Sequence, residues 1–154
     1  MSFSVNHKQA RQGRYLPPDG LYEVVFSKAA VSKSPSSGKR WINFTFLVRS
    51  DVVQDEKGEE FEFAMFPLNT PSSRDPEGYK LGIIQTICKC AGIAEGMNFS
   101  SIADWLDALV NQPIKVVVRH RIYNDQDKID VLYQPTDFPH YTPGATISDD
   151  DPLF

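Results

Sequence analysis

Two neighbouring segments with a strict two-residue alternation of apolar side chains constrain the fold most. The apolar members of one parity are Ile42, Phe44, Phe46 and Val48 in residues 40–49, and Phe61, Phe63 and Met65 in residues 59–66. Because successive side chains of a strand point to opposite faces, each segment reads as a strand with one face in the core. The turn-forming residues 55–58 separate the two strands.

The rest of the chain predicts three more strands and two helices. The further strands are predicted over residues 21–31, 114–123 and 128–133, the last two joined by a hairpin turn at 124–127. After Pro67 the apolar period changes to about 3.6, which predicts a helix over 76–91 with Asp75 as its N-cap. A shorter helix follows Ser100 and Ser101 and places Trp105 in the core.

The predicted element order is β-β-β-α-β-β, a mainly β fold with a helical insertion. This is the order of the OB-fold, a five-stranded Greek-key barrel that binds oligonucleotides or oligosaccharides on its strand 2–3 face. We expect an N-terminal extension over 1–19, the OB-fold domain over 20–133 and a flexible acidic tail over 134–154. The tail holds four prolines and an acidic run but no apolar periodicity.

Charge is distributed unevenly along a chain whose overall composition is that of one globular domain. The 154 residues include 16 Lys and Arg against 20 Asp and Glu. Residues 1–50 nevertheless hold eight basic residues against two acidic ones, and no Lys or Arg follows Lys128. Since a local basic patch, and not the net charge, attracts phosphates, the acidic balance does not exclude nucleic-acid binding.

The residues that enzymes and metal sites require are not found in the necessary spacings. His7, His120 and His140 are scattered, and Cys88 and Cys90 stand alone. We therefore expect no enzyme activity, no metal and no cofactor, with both cysteines reduced. The sequence shows no signal peptide and no apolar run of the roughly 18 residues that a membrane span needs, so a cytoplasmic protein is expected.

Basic residues interleaved with aromatic ones form the candidate binding site. Non-specific single-strand binding needs a positive groove for the backbone and flat rings for the bases. The candidate residues are Lys33, Lys39, Arg40 and Trp41 around the first loop, Phe66 after the third strand, and Arg119, Arg121 and Tyr123 on the fourth. The alternative is that these are ordinary surface charges, with Trp41 packed under a loop.

The end of the sequence forms a second candidate site. It consists of Asp149, Asp150, Asp151, Pro152, Leu153 and Phe154. An aromatic ring beside several carboxylates fits a peptide that places the ring in an apolar pocket while the acids meet Lys or Arg. Such a tip predicts recruitment of partner proteins.

These features resemble known single-stranded DNA-binding proteins. The tip is similar to the acidic, phenylalanine-terminated tail of the bacterial proteins, which recruits replication and repair enzymes and competes with DNA for the groove. The body resembles a phage family of such proteins in the segments 16–25, 37–44, 90–93 and 109–116, although relatives often have Gly-Lys in place of Asn111-Gln112.

The resemblance implies a phage protein that coats single-stranded DNA without sequence choice during replication or recombination, in the host cytoplasm. We also expect the acidic tail to screen the basic groove. RNA stays open as a ligand, because stacking and phosphate contacts do not read the 2′-OH. Base rates alone favour a homodimer. The alternative function is a protein-interaction adaptor whose barrel is only a scaffold.

Overall fold

The computed structural model describes residues 2, 4–5, 14–68 and 70–147. Its strands are β1 (Gly20–Lys33), β2 (Arg40–Val48), β3 (Glu60–Met65), β4 (Pro113–Tyr123) and β5 (Gln126–Gln134). Two helices, α1 (Leu81–Cys90) and α2 (Ile102–Leu109), lie between β3 and β4. The prediction of a mainly β fold with a helical insertion after the third strand is confirmed.

The five strands form one antiparallel sheet in the order β3-β2-β1-β4-β5. The long β1 lies in the middle, paired with β2 along its second half and with β4 along its first. Its register against β2 shifts between Phe26 and Lys28, which marks a β-bulge. Since a bulge bends a strand and increases its twist, β1 can contribute to both halves of the sheet.

One face of the sheet carries the core, as the alternation predicts. Phe44, Phe46 and Phe61 are almost fully buried, and the Phe46 ring contacts the rings of the other two. Trp105 of α2 is also buried and meets the Phe44 ring edge-on, with centroids 6.4 Å apart. Its predicted place in the core is therefore confirmed.

The start of the first helix differs from the prediction over residues 76–91. Residues Pro76–Gly78 form a single 3-10 turn, and α1 begins only at Leu81. Glu77 has a φ of 53°, a conformation that a helix cannot contain. Asp75 still helps to cap α1, because its Oδ1 accepts a hydrogen bond from the Leu81 amide.

Residues 136–147 of the predicted tail contact the body of the protein. Thr136 donates its hydroxyl to Glu23, a residue that is buried in β1. The Ile147 amide donates to the Ser50 carbonyl at 2.7 Å. These contacts differ from the expectation of a tail that is free from residue 134 onward. Residues 148–154, which contain the whole predicted tip, lie outside the described residues.

Within the described part of the chain, no helix has the length and apolar character that crossing a membrane demands.

Candidate functional site

The β1–β2 hairpin places four candidate residues together. Lys33 is paired with Arg40 at the end of the β ladder, and the next pair joins Ser32 to Trp41. The loop between the strands closes with a hydrogen bond from the Ser34 amide to the Lys39 carbonyl at 2.8 Å. Gly38 in this loop has a φ of 72°, which glycine adopts at no steric cost.

Trp41 and Phe66 form an aromatic pair on the face of the sheet opposite the core. The β2–β3 register pairs Ile42 with Met65, so Phe66 follows directly opposite Trp41. Their ring centroids are 5.8 Å apart, with an angle of 34° between the planes. Phe66 is 58% exposed and Trp41 is half-buried. The pair therefore presents aromatic surface to the outside.

The hairpin that carries this aromatic pair is positively charged and contains no acid. Between Glu23 and Asp51, residues 24–48 include Lys28, Lys33, Lys39 and Arg40 but neither Asp nor Glu. All four basic residues are exposed. Lys28, which was not among the predicted site residues, lies opposite Thr45 in the ladder and thus in the row of Glu62, away from the aromatic pair.

Acidic residues begin farther along the same outer face. Glu62 lies opposite Thr45 and Glu60 opposite Leu47 in the β2–β3 ladder. Glu60 also accepts a hydrogen bond from the Ser27 hydroxyl at 3.3 Å. The outer face of β2 and β3 is thus aromatic at the Trp41 end and acidic at the other end. Lys33 and Arg40, one position beyond the Ser32–Trp41 pair, have the strand parity of the opposite face.

The remaining predicted residues lie at the other end of β1. Gly20 at the start of β1 is paired with Val118, so Arg119, Arg121 and Tyr123 extend beyond that start. Lys33 and Arg40, in contrast, lie at the end of β1. In the described part of the chain, the ion pairs and ring contacts join residues within each group and not across them. The structure therefore separates the predicted set into two groups.

The β4–β5 group differs from the hairpin group in its charge. Arg121 forms an ion pair with Asp130 at 2.9 Å, and its guanidinium lies 5.5 Å from the centre of the Tyr123 ring. Lys128 approaches the same ring at 5.2 Å. Residues 119–130 hold three Lys or Arg and three Asp. The Lys and Arg residues of this hairpin are therefore matched in number by its aspartates.

His120 connects the segment before β1 to the β4–β5 hairpin through hydrogen bonds. Its Nε2 lies 2.6 Å from the Pro17 carbonyl and its Nδ1 lies 2.9 Å from the Asp127 carboxylate. Two acceptors favour the ring with both nitrogens protonated, and these hydrogen bonds raise the pKa of His120. The residue is therefore a histidine at the rim of the sheet whose two ring nitrogens both have hydrogen-bond partners.

Buried Arg49 holds the C-terminal segment in place, a role that sequence reasoning missed. Its Nε and Nη2 donate to both carboxylate oxygens of Asp51, at 2.9 and 2.8 Å. The other donors reach the Phe138 carbonyl at 2.6 Å, the His140 carbonyl at 3.0 Å and the Thr136 hydroxyl at 3.4 Å. All five N–H groups of the guanidinium are therefore used.

Asp51 completes this buried ion pair. Burial acts to raise the pKa of Asp51, but the hydrogen bonds from Arg49 and the Thr142 amide, together with the Arg49 charge, leave that pKa lower than usual. The carboxylate thus stays ionised opposite the guanidinium. In the sequence, this ion pair is indicated only by an arginine that stands two residues before an aspartate, at the end of a buried strand.

A cavity of about 1170 Å³ lies beside α1 and includes no histidine in its lining. Cys88 lines it and accepts a hydrogen bond from the Trp105 indole at 3.0 Å. Burial raises the pKa of the Cys88 thiol, so this cysteine is a weak nucleophile. Both cysteines are free thiols. No group of three His, Cys, Asp or Glu in the described ranges is placed to bind a metal.

Comparison with known proteins adds a family to this description. No curated protein matches the sequence. The family described as "Protein of unknown function (DUF669)" matches residues 3–140, which is most of the chain. The match includes both hairpins and the Arg49 contacts with residues 136–140. The chain belongs to the DUF669 family.

Proposed function

We propose that this protein binds single-stranded DNA without sequence choice, through the Trp41–Phe66 pair and the basic residues of the β1–β2 hairpin. The observation that carries the proposal is the outward-facing aromatic pair next to a hairpin turn that holds Lys33, Lys39 and Arg40 and no acid. Rings stack on bases while Lys and Arg attract the phosphates, and both are needed for non-specific single-strand binding. We call this surface, Lys33, Lys39, Arg40, Trp41 and Phe66, the hairpin site.

The topology supports this placement. An OB-fold binds its ligand on the strand 2–3 face and the strand 1–2 loop, which are the elements that carry the hairpin site. The antiparallel order and the helices between β3 and β4 agree with an OB-like barrel that is open between β3 and β5. The OB-fold itself is therefore part of the proposal, as is a role in phage replication or recombination in the host cytoplasm.

The acidic residues on the outer face indicate the path that a bound DNA strand would take. A phosphate backbone that followed β2 would approach Glu60 and Glu62. A backbone that crosses the strands at the Trp41 end meets Lys33, Lys39 and Arg40 and avoids both acids. We therefore propose a crossing path, with bases on the Trp41–Phe66 pair. Arg119, Arg121 and Tyr123 stay a prediction for an additional contact.

Substitution of Trp41 by Ala tests the proposal. One stacked base contributes about 1–3 kcal/mol, so the affinity for an oligo-dT strand should fall roughly 5- to 150-fold. Fluorescence anisotropy of a labelled strand measures this change. Phe138→Ala is the matched control, because Phe138 is 48% exposed and lies on the C-terminal segment; its affinity should equal that of the wild type.

Three results would contradict the proposal. If neither oligo-dT nor a duplex of the same length binds, the adaptor function becomes the better account. If Trp41→Ala binds oligo-dT as tightly as the wild type does, the site lies elsewhere. If the duplex binds as tightly as the single strand, base stacking is not the basis of binding. An oligo-U strand in the same assay determines whether RNA is also a ligand.

A further inference from the structure

The strand β5 lies at an edge of the sheet. It pairs with β4, and no strand in the described ranges pairs with its other side. An edge strand presents a row of backbone N–H and C=O groups that a further strand can bind. β5 offers nine residues for such a contact, whereas β3 at the opposite edge has six and carries Glu60 and Glu62, whose like charges oppose pairing with a second copy.

The turn of the β4–β5 hairpin determines which backbone groups of β5 point outward. The two turn residues 124–125 have φ values of 50° and 60°, so Tyr123 and Gln126 close the hairpin as a hydrogen-bonded pair. Hydrogen-bonded pairs alternate along an antiparallel ladder, so the N–H and C=O groups of the odd-numbered residues of β5, such as Ile129, point away from β4. Among the residues that the structure describes, these outward groups form no hydrogen bond with another segment.

We infer that the β5 edge binds the β5 edge of a second copy of this chain, antiparallel and with Ile129 opposite its counterpart. This register places Lys128 of each molecule opposite Asp130 of the other, and opposite charges on facing strands attract. Both side chains lie on the outer face, because the neighbouring Ile129 and Val131 are buried on the core face. Asp130 Oδ1 accepts a hydrogen bond from Arg121 at 2.9 Å, which leaves Oδ2 for the lysine. Centring the pair on Asp130 instead would place two carboxylates opposite each other.

A groove beside this edge has room for the turn of the second copy. It has a volume of about 990 Å³ and lies between Val131–Tyr133 and the segment that begins α1. Basic residues outnumber acidic ones in its lining, where the charged residues are Arg74, Asp75 and Lys80. In the proposed register, Asp127 of the second copy lies opposite Val131. Its turn residues 124–127, which include two aspartates, therefore enter a groove of complementary charge.

Sedimentation equilibrium without DNA tests the inference. With rising concentration, the apparent mass of the wild type should approach twice 17.4 kDa and no more, because a symmetric contact closes at the dimer. Lys128→Asp and Asp130→Lys each place two pairs of like charges across the contact, so the dissociation constant of the dimer should rise roughly 10-fold or more. Asp107→Lys, at an exposed position on α2, is the matched control and should dimerise like the wild type.

Mixing the two charge variants is the decisive experiment, because it separates a lost contact from a lost fold. In a 1:1 mixture, the two acids of the Lys128→Asp molecule face the two lysines of the Asp130→Lys molecule, so a heterodimer should form. A monomeric wild type, single variants that dimerise as tightly as the wild type, or a mixture that stays monomeric would overturn the inference. So would a mass that keeps rising beyond the dimer, which indicates that β5 pairs with β3 of the next molecule. Because no sample contains DNA, the result does not depend on the proposed function.

Discussion

Trp41 and Trp105 take opposite places in the structure, for reasons that the sequence shows only in part. The helical spacing of Trp105 with other apolar residues predicted its burial, which is confirmed. Strand parity placed Trp41 opposite the core face, but its partner depends on the β2–β3 register. Because Phe66 is 25 positions away, local pattern could not reveal the ring pair.

Because His120 is hydrogen-bonded to two acceptors, we expect this single residue to contribute to the stability of the fold in a pH-dependent way. A pKa raised in the folded state means that the contribution is fully present below about pH 6.5 and is lost as pH rises through the folded pKa. The difference in free energy of unfolding between wild type and His120→Gln should therefore shrink from about pH 6 to about pH 8. Urea denaturation measures it.

His140→Gln is the matched control for this experiment, because the exposed His140 offers its backbone carbonyl to Arg49. The difference in free energy of unfolding between wild type and His140→Gln should not shrink with pH in the way expected for His120→Gln. A difference between wild type and His120→Gln that stays constant over the pH range would show that His120 is not held as a charged ring.

At the scale of elements, the strands were easier to predict than the end of the chain. Alternation of large apolar residues determined which face of β2 and β3 is buried, so these strands differ from their predicted bounds by one residue at most. The docking of residues 136–147 depends on partners far away in the sequence, such as Arg49, which contacts residues 87 to 91 positions away. A contact between residues so far apart in the sequence produces no local periodicity. The proline-rich composition of the segment predicted a free tail instead.

The β1–β2 hairpin as an element should determine the salt dependence of DNA binding. Each phosphate contact with a single strand contributes roughly 0.7 to the slope of log K against log salt concentration. The triple variant Lys33→Ala, Lys39→Ala, Arg40→Ala should therefore lower the magnitude of the slope by about 2. Anisotropy titrations at several salt concentrations give the slope.

The β4–β5 hairpin provides the comparison. Arg119→Ala with Arg121→Ala should lower the slope less per residue removed, because Arg121 already pairs with Asp130. If the slope decreases equally per basic residue removed in both hairpins, the phosphates contact the basic residues of both hairpins, as the sequence analysis expected.

The C-terminal segment should stabilise the fold through Arg49. Arg49→Leu leaves Asp51 as an unpaired carboxylate and removes the donors to residues 136–140, so unfolding should become easier by about 3–5 kcal/mol. Arg119→Leu, at an exposed position, should change stability by less than about 0.5 kcal/mol. Urea denaturation compares the variants, and equal stability would show that the Arg49 contacts contribute little.

At the scale of the whole molecule, the two candidate functional regions are connected to opposite ends of β2. The beginning of β2 carries the basic and aromatic site, and the loop after it holds the segment that leads to the acidic tip. The sequence predicted both charged regions. Screening of the groove by the acidic tip stays a prediction, because residues 148–154 lie outside the described residues. The contacts of Arg49 and Ser50 hold residues 136–147 at the Val48 end of β2.

Tryptophan fluorescence during titration with oligo-dT tests the central claim most directly. Trp105 is buried, so Trp41 is the tryptophan that a bound base can reach. We predict quenching of the wild type that weakens with salt and is far weaker for a duplex, whereas Trp41→Phe, which keeps only Trp105, shows no quenching although it still binds in anisotropy. Equal quenching in Trp41→Phe, or none in the wild type at saturating DNA, would contradict a binding site at Trp41.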